Sequence, residues 1–175
     1  NKVILYVGRL EAEKGLHILI KAFSRLGEGS ILYIVGKGDY EGQLKDLAKE
    51  EGLEGRVIFT GFMDKDEIGR YYDMADIFVH PALWPEPFPR TILEALAHRL
   101  PLLVSDSGSS AEILGSAGLS FRCGDEADLA HKLSTLLDDD VLRQVTMEAG
   151  ERVLMRYHPD TVMTQVIEFY DELLS

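Results

Sequence analysis

Hydrophobic residues in this chain form short continuous runs that alternate with longer amphipathic segments. The first two runs, VILYV at 3–7 and ILYIV at 31–35, are almost entirely apolar. Such runs are typical of strands that are buried on both faces of a parallel sheet. Further short runs complete a set of six predicted strands, the others lying at 57–60, 77–80, 102–105 and 119–121.

The segments between these strands carry apolar residues at helical spacing, as Leu16, Leu19, Phe23 and Leu26 do in the first of them. Helices are predicted there at 16–26, 40–51, 65–74, 90–98 and 110–114. After the last strand the alternation stops, and further helices are predicted at 128–137, 141–157 and 159–174. This order predicts an α/β fold with a doubly wound, mainly parallel, six-stranded Rossmann-like sheet, right-handed crossovers and C-terminal helices.

Composition narrows the classes of function. The 175 residues, 46% of them apolar, indicate one domain spanning 1–175. A formal net charge of −12 argues against a nucleic-acid or anionic-membrane binder. The single cysteine excludes an internal disulfide and a multi-cysteine metal site. No apolar run reaches the ~18 residues of a membrane span, and the N-terminus reads as a strand without a leader. From the single cysteine we expect a cytoplasmic location.

Glycine, proline and charged residues collect after the predicted strands. The segments are GRLEAEKG, GKGD, GFMD, PALWPEPFPR and SDSGSS, beginning at residues 8, 36, 61, 81 and 105. Ligands of open parallel sheets bind beyond the carboxyl ends of the strands. The sequence therefore predicts a ligand site at this edge of the sheet.

The first of these segments lacks the G-x-G-x-x-G and P-loop patterns but offers two cations, Arg9 and Lys14, around a turn that opens a helix. Guanidinium and ammonium groups beside a helix N-terminus suit a pyrophosphate. An alternative is that both cations form surface ion pairs with Glu11 and Glu13.

The stretch WPEPFPRTILEALAHRLP begins a helix after the fourth strand. Pro89 suits the first helical turn, which leaves the N–H groups of Arg90, Thr91 and Ile92 free to face an anion. Trp84 is either a sugar-stacking residue or a buried aromatic.

Two glutamates, Glu86 and Glu94, flank this helix start. Glu94 falls off the apolar helix face, where a carboxylate can accept hydrogen bonds from adjacent hydroxyls of a ribose or hexose. The alternative, acidic residues that favour the helix dipole, explains Glu86 better than Glu94. His80, at a strand end, and His98, at a helix end, are predicted to be packing or surface residues, since no other ligand has metal-binding spacing to His80.

GRLEAEKG, VGKGD, FTGF, the two glutamates of EPFPRTILE and ALAHRLPLLVSDSGSSAEIL together resemble one half of the GT-B retaining glycosyltransferases. That half is the nucleotide-binding C-terminal domain, and the most similar group is family 4, which includes sucrose synthase-like and mannosyl transferases. The resemblance runs from about residue 3 to about residue 137, in the family's order.

The resemblance implies that Arg9 and Lys14 bind the diphosphate of a nucleotide-sugar donor and stabilise the leaving group. Glu86 would hold hydroxyls of the donor sugar. Transfer would proceed with retention, the acceptor attacking from the face that the nucleotide leaves. No metal would be required, because the two cations neutralise the diphosphate.

Other positions of the motif would bind the rest of the donor, a UDP-, GDP- or ADP-sugar. Glu94 would bind the ribose hydroxyls, and the backbone N–H groups of Arg90 and Thr91 the distal phosphate. The loop carrying Phe62 and Met63 would line the base, largely through its backbone.

The sequence departs from the family pattern at three places. Pro89, in the donor-binding loop, stands where the family usually has glycine, so one N–H is missing there. Arg99 replaces another glycine, which would alter packing between helix and strand. Ser109 and Ser110 stand where two glycines are common, while the following Glu112 is retained.

The resemblance also implies an N-terminal acceptor-binding domain that is absent from this chain. We therefore expect the chain alone to bind nucleotide without transferring sugar, and any peripheral membrane association to depend on the absent half. Two other functions remain open: a GT-B epimerase or phosphorylase-like relative, and a non-catalytic nucleotide- or phosphate-binding module.

Overall fold

The computed structural model describes residues 1–174, apart from the side chain of residue 65, and contains one six-stranded parallel sheet. The strand order is β3-β2-β1-β4-β5-β6. All six predicted strands are confirmed, and each end lies within one residue of its predicted place. The strands are Lys2–Val7 (β1), Ser30–Val35 (β2), Val57–Gly61 (β3), Ile77–His80 (β4), Leu102–Ser105 (β5) and Gly118–Phe121 (β6).

Helices connect and follow the strands as predicted. They are Leu16–Ser24 (α1), Glu41–Glu50 (α2), Lys65–Met74 (α3), Arg90–Ala97 (α4), Ser110–Leu114 (α5), Glu126–Asp138 (α6), Asp140–Arg156 (α7) and Pro159–Leu174 (α8). α6 begins two residues before its predicted start, because the Asp125 side chain accepts hydrogen bonds from the first-turn N–H groups. Within the described residues, no helix combines the length and the apolar composition that crossing a bilayer requires.

Both faces of the sheet are buried. Ile4 and Tyr6 of β1 pack into a core with α1 and α6, whereas Leu5 and Val7 pack into a second core with α4 and α7. Successive side chains of a strand point to opposite faces, so one continuous apolar run supplies both cores. This explains why the first two runs show no polar alternation.

The switch point of the sheet lies between β1 and β4. β1 pairs with β2 on one side and with β4 on the other, with Ile4 opposite Ile77. Connections therefore run in opposite directions from the centre, which leaves a crevice beyond the carboxyl ends of the two middle strands. The loops at 8–15 and 81–89 meet there.

Candidate functional site

Two cavities that share Glu94 lie at this edge of the sheet. The smaller, of about 260 Å³, lies at the switch point, and the larger, of about 710 Å³, lies between α3 and α4. All nine predicted site residues line one or both. The smaller holds Arg9, Lys14, Glu86, Pro89, Arg90, Thr91 and Glu94; the larger holds Phe62, Met63 and Glu94.

An ion pair joins the two loops at the switch point. Lys14 Nζ lies 2.8 Å from Glu86 Oε1, and the side chains are only 14% and 17% exposed. A pair this sheltered is screened less by solvent than a surface pair. The surface ion-pair alternative is therefore wrong for Lys14, whose partner is Glu86 rather than Glu13.

Backbone contacts hold Lys14 in this position. A short 3₁₀ turn, Ala12–Lys14, was not predicted; it ends at Gly15, whose φ is 70°. A β-carbon on Gly15 would lie 1.9 Å from the carbonyl oxygen of Pro81, so only glycine allows the two loops to approach this closely. The Leu83 N–H also donates to the Glu13 carbonyl at 2.8 Å.

Arg9 is held less tightly than Lys14. Its side chain is 69% exposed, and Nη1 lies 2.5 Å from Glu11 Oε1, as the surface ion-pair alternative expects. Its carbonyl accepts a hydrogen bond of 2.8 Å from the Tyr6 hydroxyl, so the backbone is anchored while the guanidinium is accessible. Burial, with the nearby Glu86 carboxylate, raises the pKa of Tyr6, which keeps that hydroxyl protonated.

The loop after β5 supports the backbone of Glu86. The Ser109 N–H and Oγ both donate to the Glu86 carbonyl, at 3.2 and 3.1 Å. Gly108, with φ of 61°, packs so closely that a β-carbon would lie 2.7 Å from the Glu86 backbone nitrogen and oxygen. Ser109, a departure from the family pattern, thus serves to hold the loop.

The start of α4 differs in two respects from the prediction. Pro89 precedes the helix as its N-cap, with φ −74° and ψ 98°, instead of lying in the first turn. The Ile92 N–H donates to the Pro89 carbonyl at 3.1 Å and is not free, contrary to expectation. Arg90 and Thr91 lie in the first turn, where N–H groups have no carbonyl within the helix, and both line the smaller cavity.

Glu94 has a partner that the sequence did not reveal. The Tyr72 hydroxyl donates to Glu94 Oε2 at 2.9 Å. Tyr72 stacks on His98 at a ring-centroid distance of 5.0 Å, and His98 Nδ1 lies 2.7 Å from Asp73 Oδ1. Burial, with the Glu94 charge, raises the pKa of Tyr72, so its hydroxyl stays a donor.

His80 is packed, as predicted, but it also lines the smaller cavity. It is 4% exposed, and its Nε2 lies 3.5 Å from Glu86 Oε1. That contact is too long or too poorly directed for a hydrogen bond, and within the described part of the chain neither ring nitrogen has a partner. Burial lowers the pKa of His80 to about 4, Lys14 acts in the same direction and Glu86 opposes it, so the ring is neutral near pH 7.

Two exposed aromatics near the cavities, Phe62 and Trp84, lie outside the packed core. Both are more than half exposed, which rules out the buried-aromatic alternative for Trp84. Phe62 also lines a third cavity of about 240 Å³, together with Arg9 and Lys37.

Residues 1–153 match the family described as Glycosyl transferases group 1. The chain belongs to this family. Its sheet order and flanking helices are those of a GT-B Rossmann-like half, as the resemblance implied.

This group 1 glycosyltransferase domain is similar to several curated relatives. It is 32% identical to an uncharacterised glycosyltransferase of Methanocaldococcus jannaschii, over 97% of this chain and 45% of the relative. It is 35% identical to a glycogen synthase of Mycobacterium tuberculosis, over 95% of this chain and 42% of the relative. It is 33% identical to a phosphatidyl-myo-inositol mannosyltransferase of Mycobacterium leprae, over 100% of this chain and 48% of the relative. The chain thus spans less than half the length of these proteins.

Solved structures agree with this assignment. HepE of Anabaena in complex with UDP superposes with a TM-score of 0.89 at 28% identity, over 98% of this chain and 49% of HepE. A sucrose-phosphate synthase of Thermosynechococcus elongatus superposes with a TM-score of 0.86 at 27% identity, over 99% of this chain and 45% of the synthase.

Proposed function

We propose that this chain is the donor-binding half of a retaining family 4 glycosyltransferase that moves a hexose from a nucleoside diphosphate sugar to an acceptor. The observation that carries the proposal is the Lys14–Glu86 pair in one cavity, joined through Glu94 to a second cavity of nucleoside size. Cations beside carboxylates match a ligand with both anionic phosphates and sugar hydroxyls.

The diphosphate would lie in the smaller cavity. Lys14 and Arg9 supply positive charge, and the first-turn N–H groups of Arg90 and Thr91 supply donors at the positive end of the α4 dipole. When the bond between the anomeric carbon and the diphosphate oxygen breaks, negative charge builds up on the diphosphate. The two cations stabilise that charge in a site partly screened from water.

The sugar and nucleoside would lie on either side of the diphosphate. Glu86 would accept hydrogen bonds from hydroxyls of the transferred sugar, and Glu94, at the junction of the cavities, from the ribose hydroxyls. The base would contact the loop with Phe62 and Met63 in the larger cavity, whose wall continues along Ile68. Charged side chains therefore line the part of the site assigned to the diphosphate and sugar, and apolar side chains line the part assigned to the base.

The acceptor half would be supplied by another part of a longer enzyme. Relatives are about twice the length of this chain. None of the residues of α8 is buried, and its exposed apolar side chains include Val166, Ile167, Phe169 and Tyr170. Contiguous exposed apolar surface marks an interface in other proteins. We therefore expect this chain to bind donor without transferring sugar.

Titration calorimetry with UDP, GDP and ADP tests the proposal. We expect one diphosphate to bind preferentially, with affinity abolished by Lys14→Met and reduced by Arg9→Ala and Glu94→Gln. Lys45→Met is the matched control, because Lys45 is an exposed lysine paired with Glu41 on α2. If none of the three diphosphates binds, or if Lys14→Met binds like Lys45→Met, the donor-binding assignment is wrong.

A further inference from the structure

The Lys14–Glu86 pair poses a problem for donor binding. In this structure each group satisfies the other at 2.8 Å. Under the proposed function, on which this inference rests, Lys14 must turn toward a diphosphate while Glu86 turns toward sugar hydroxyls. Drawing Lys14 away would leave a largely buried carboxylate oxygen without its partner, which costs more than a typical hydrogen bond contributes.

A second donor already lies beside that oxygen. His80, the last residue of β4, has Nε2 3.5 Å from Oε1 of Glu86, the same atom that Lys14 contacts. Both ring nitrogens of His80 are buried and without a hydrogen-bond partner among the described residues. Buried polar atoms in native proteins are seldom left unpaired, and those that are call for an explanation.

We propose that His80 is a positioning residue: it donates a hydrogen bond to Oε1 of Glu86, in place of Lys14, when a bound diphosphate draws Lys14 away. The step is small: shortening the Nε2–Oε1 distance by roughly 0.6 Å brings it into the hydrogen-bonding range. This hydrogen bond requires the His80 tautomer with the hydrogen on Nε2.

The neutrality of His80 suits this role. Because burial lowers its pKa to about 4, the ring donates a hydrogen bond without adding positive charge. Glu86 then keeps its full negative charge for the sugar hydroxyls, and Lys14 keeps its full positive charge for the diphosphate. The exchange therefore couples the diphosphate end of the donor to the sugar end. His80 contacts Glu86 rather than the donor, since its nitrogens are shielded from the cavity.

A ligand-free measurement tests the exchange itself. Lys14→Met removes the first partner of Glu86 as a diphosphate would. In ¹⁵N-labelled protein we expect this variant to show a hydrogen-bonded, downfield His80 Nε2–H resonance that the unmodified chain lacks and that Lys14→Met/Glu86→Leu loses. Absence of that resonance in Lys14→Met, or its persistence in the double variant, overturns the proposal.

Calorimetry with UDP and UDP-glucose tests the consequence for the donor, with the GDP or ADP pair used if the diphosphate screen selects another base. We expect His80→Phe to weaken UDP binding about tenfold, because Lys14 then leaves Glu86 without a donor, and to weaken UDP-glucose binding less, because its sugar hydroxyls donate to Glu86 in place of His80. His80→Gln, which retains an N–H donor, should recover most of the loss.

Each outcome separates this inference from the proposed function. Equal losses for both ligands in His80→Phe, or no recovery in His80→Gln, would assign His80 a purely structural role. Failure of the unmodified chain to bind any nucleoside diphosphate would refute the proposed function instead, while the Nε2–H resonance would still decide the exchange.

Discussion

The Tyr72 hydroxyl donates a hydrogen bond of 2.9 Å to Oε2 of Glu94, which ties the end of α3 to the middle of α4. The bond holds one carboxylate oxygen at the junction of the two cavities and leaves the other available to a ligand. Tyr72 is itself fixed by burial and by stacking on His98. Glu94 is thus oriented before any ligand binds.

Tyr72→Phe should weaken nucleoside diphosphate binding about fivefold, because Glu94 loses the bond that orients it. The loss should be smaller for the 2′,3′-dideoxy nucleotide, since that ligand has no ribose hydroxyls for Glu94 to accept from. Calorimetry with both ligands measures this. Tyr71→Phe is the control, because Tyr71 packs on Tyr33 away from Glu94. Equal losses for the two nucleotides would contradict the assigned role of Glu94.

Gly108→Ala should destabilise the protein by at least about 2 kcal/mol, because φ is 61° and the new β-carbon would meet the Glu86 backbone. It should also reduce affinity for a nucleotide sugar, since the strain falls on the loop that carries Glu86. Urea unfolding and calorimetry measure the two effects. Gly42→Ala, on α2 where an added β-carbon meets nothing, should instead stabilise by about 0.5–1 kcal/mol. Similar results for the two variants would refute this account of Gly108.

Arg99→Gly should stabilise the protein by about 0.5–1 kcal/mol. Arg99 has φ of 58°, where a β-carbon is strained, and glycine relieves that strain at some cost in unfolded-state entropy. The Arg99 and Leu100 N–H groups donate to the Leu96 and Ala95 carbonyls, the Schellman arrangement that favours glycine at this place.

Arg99→Ala is the control for the side-chain interaction. It removes the exposed ion pair with Glu151, at 3.2 Å, but keeps the β-carbon, so we expect little change in the free energy of unfolding. A glycine variant no more stable than the alanine variant would show that the backbone conformation is not the cause.

The buried, neutral His80 should make stability depend on pH. Its pKa falls from 6.5 to about 4 on folding, so between these values the unfolded chain binds more protons and the free energy of unfolding decreases as pH falls. The contribution of His80 to the free energy of unfolding that is lost between about pH 7 and pH 5 is on the order of 2 kcal/mol. Urea unfolding at both pH values should show this decrease in the unmodified chain and a smaller one in His80→Phe. Equal decreases would mean that His80 is not the group responsible.

The fold was predicted correctly where a local sequence pattern is sufficient to specify the structure. The continuous run in β1 supplies both cores, and the prolines and glycines mark the edge where the cavities lie. Prediction was less accurate where backbone geometry depends on contacts from elsewhere. Pro89 caps α4 instead of entering its first turn, and the unpredicted 3₁₀ turn at Ala12–Lys14 ends at Gly15, which packs against Pro81.

By itself the sequence determined the six strands, their parallel α/β arrangement, the group to which the motifs belong and the residues near the edge of the sheet where the two cavities lie. These follow from periodicity and from the order of motifs along the chain, which are local properties. Only the tertiary structure decided that Lys14 pairs with Glu86 rather than Glu13, that Tyr72 orients Glu94 and that His80 lies unpaired beside Glu86. Those contacts join residues from different elements, and no local spacing encodes which carboxylate oxygen a distant side chain reaches.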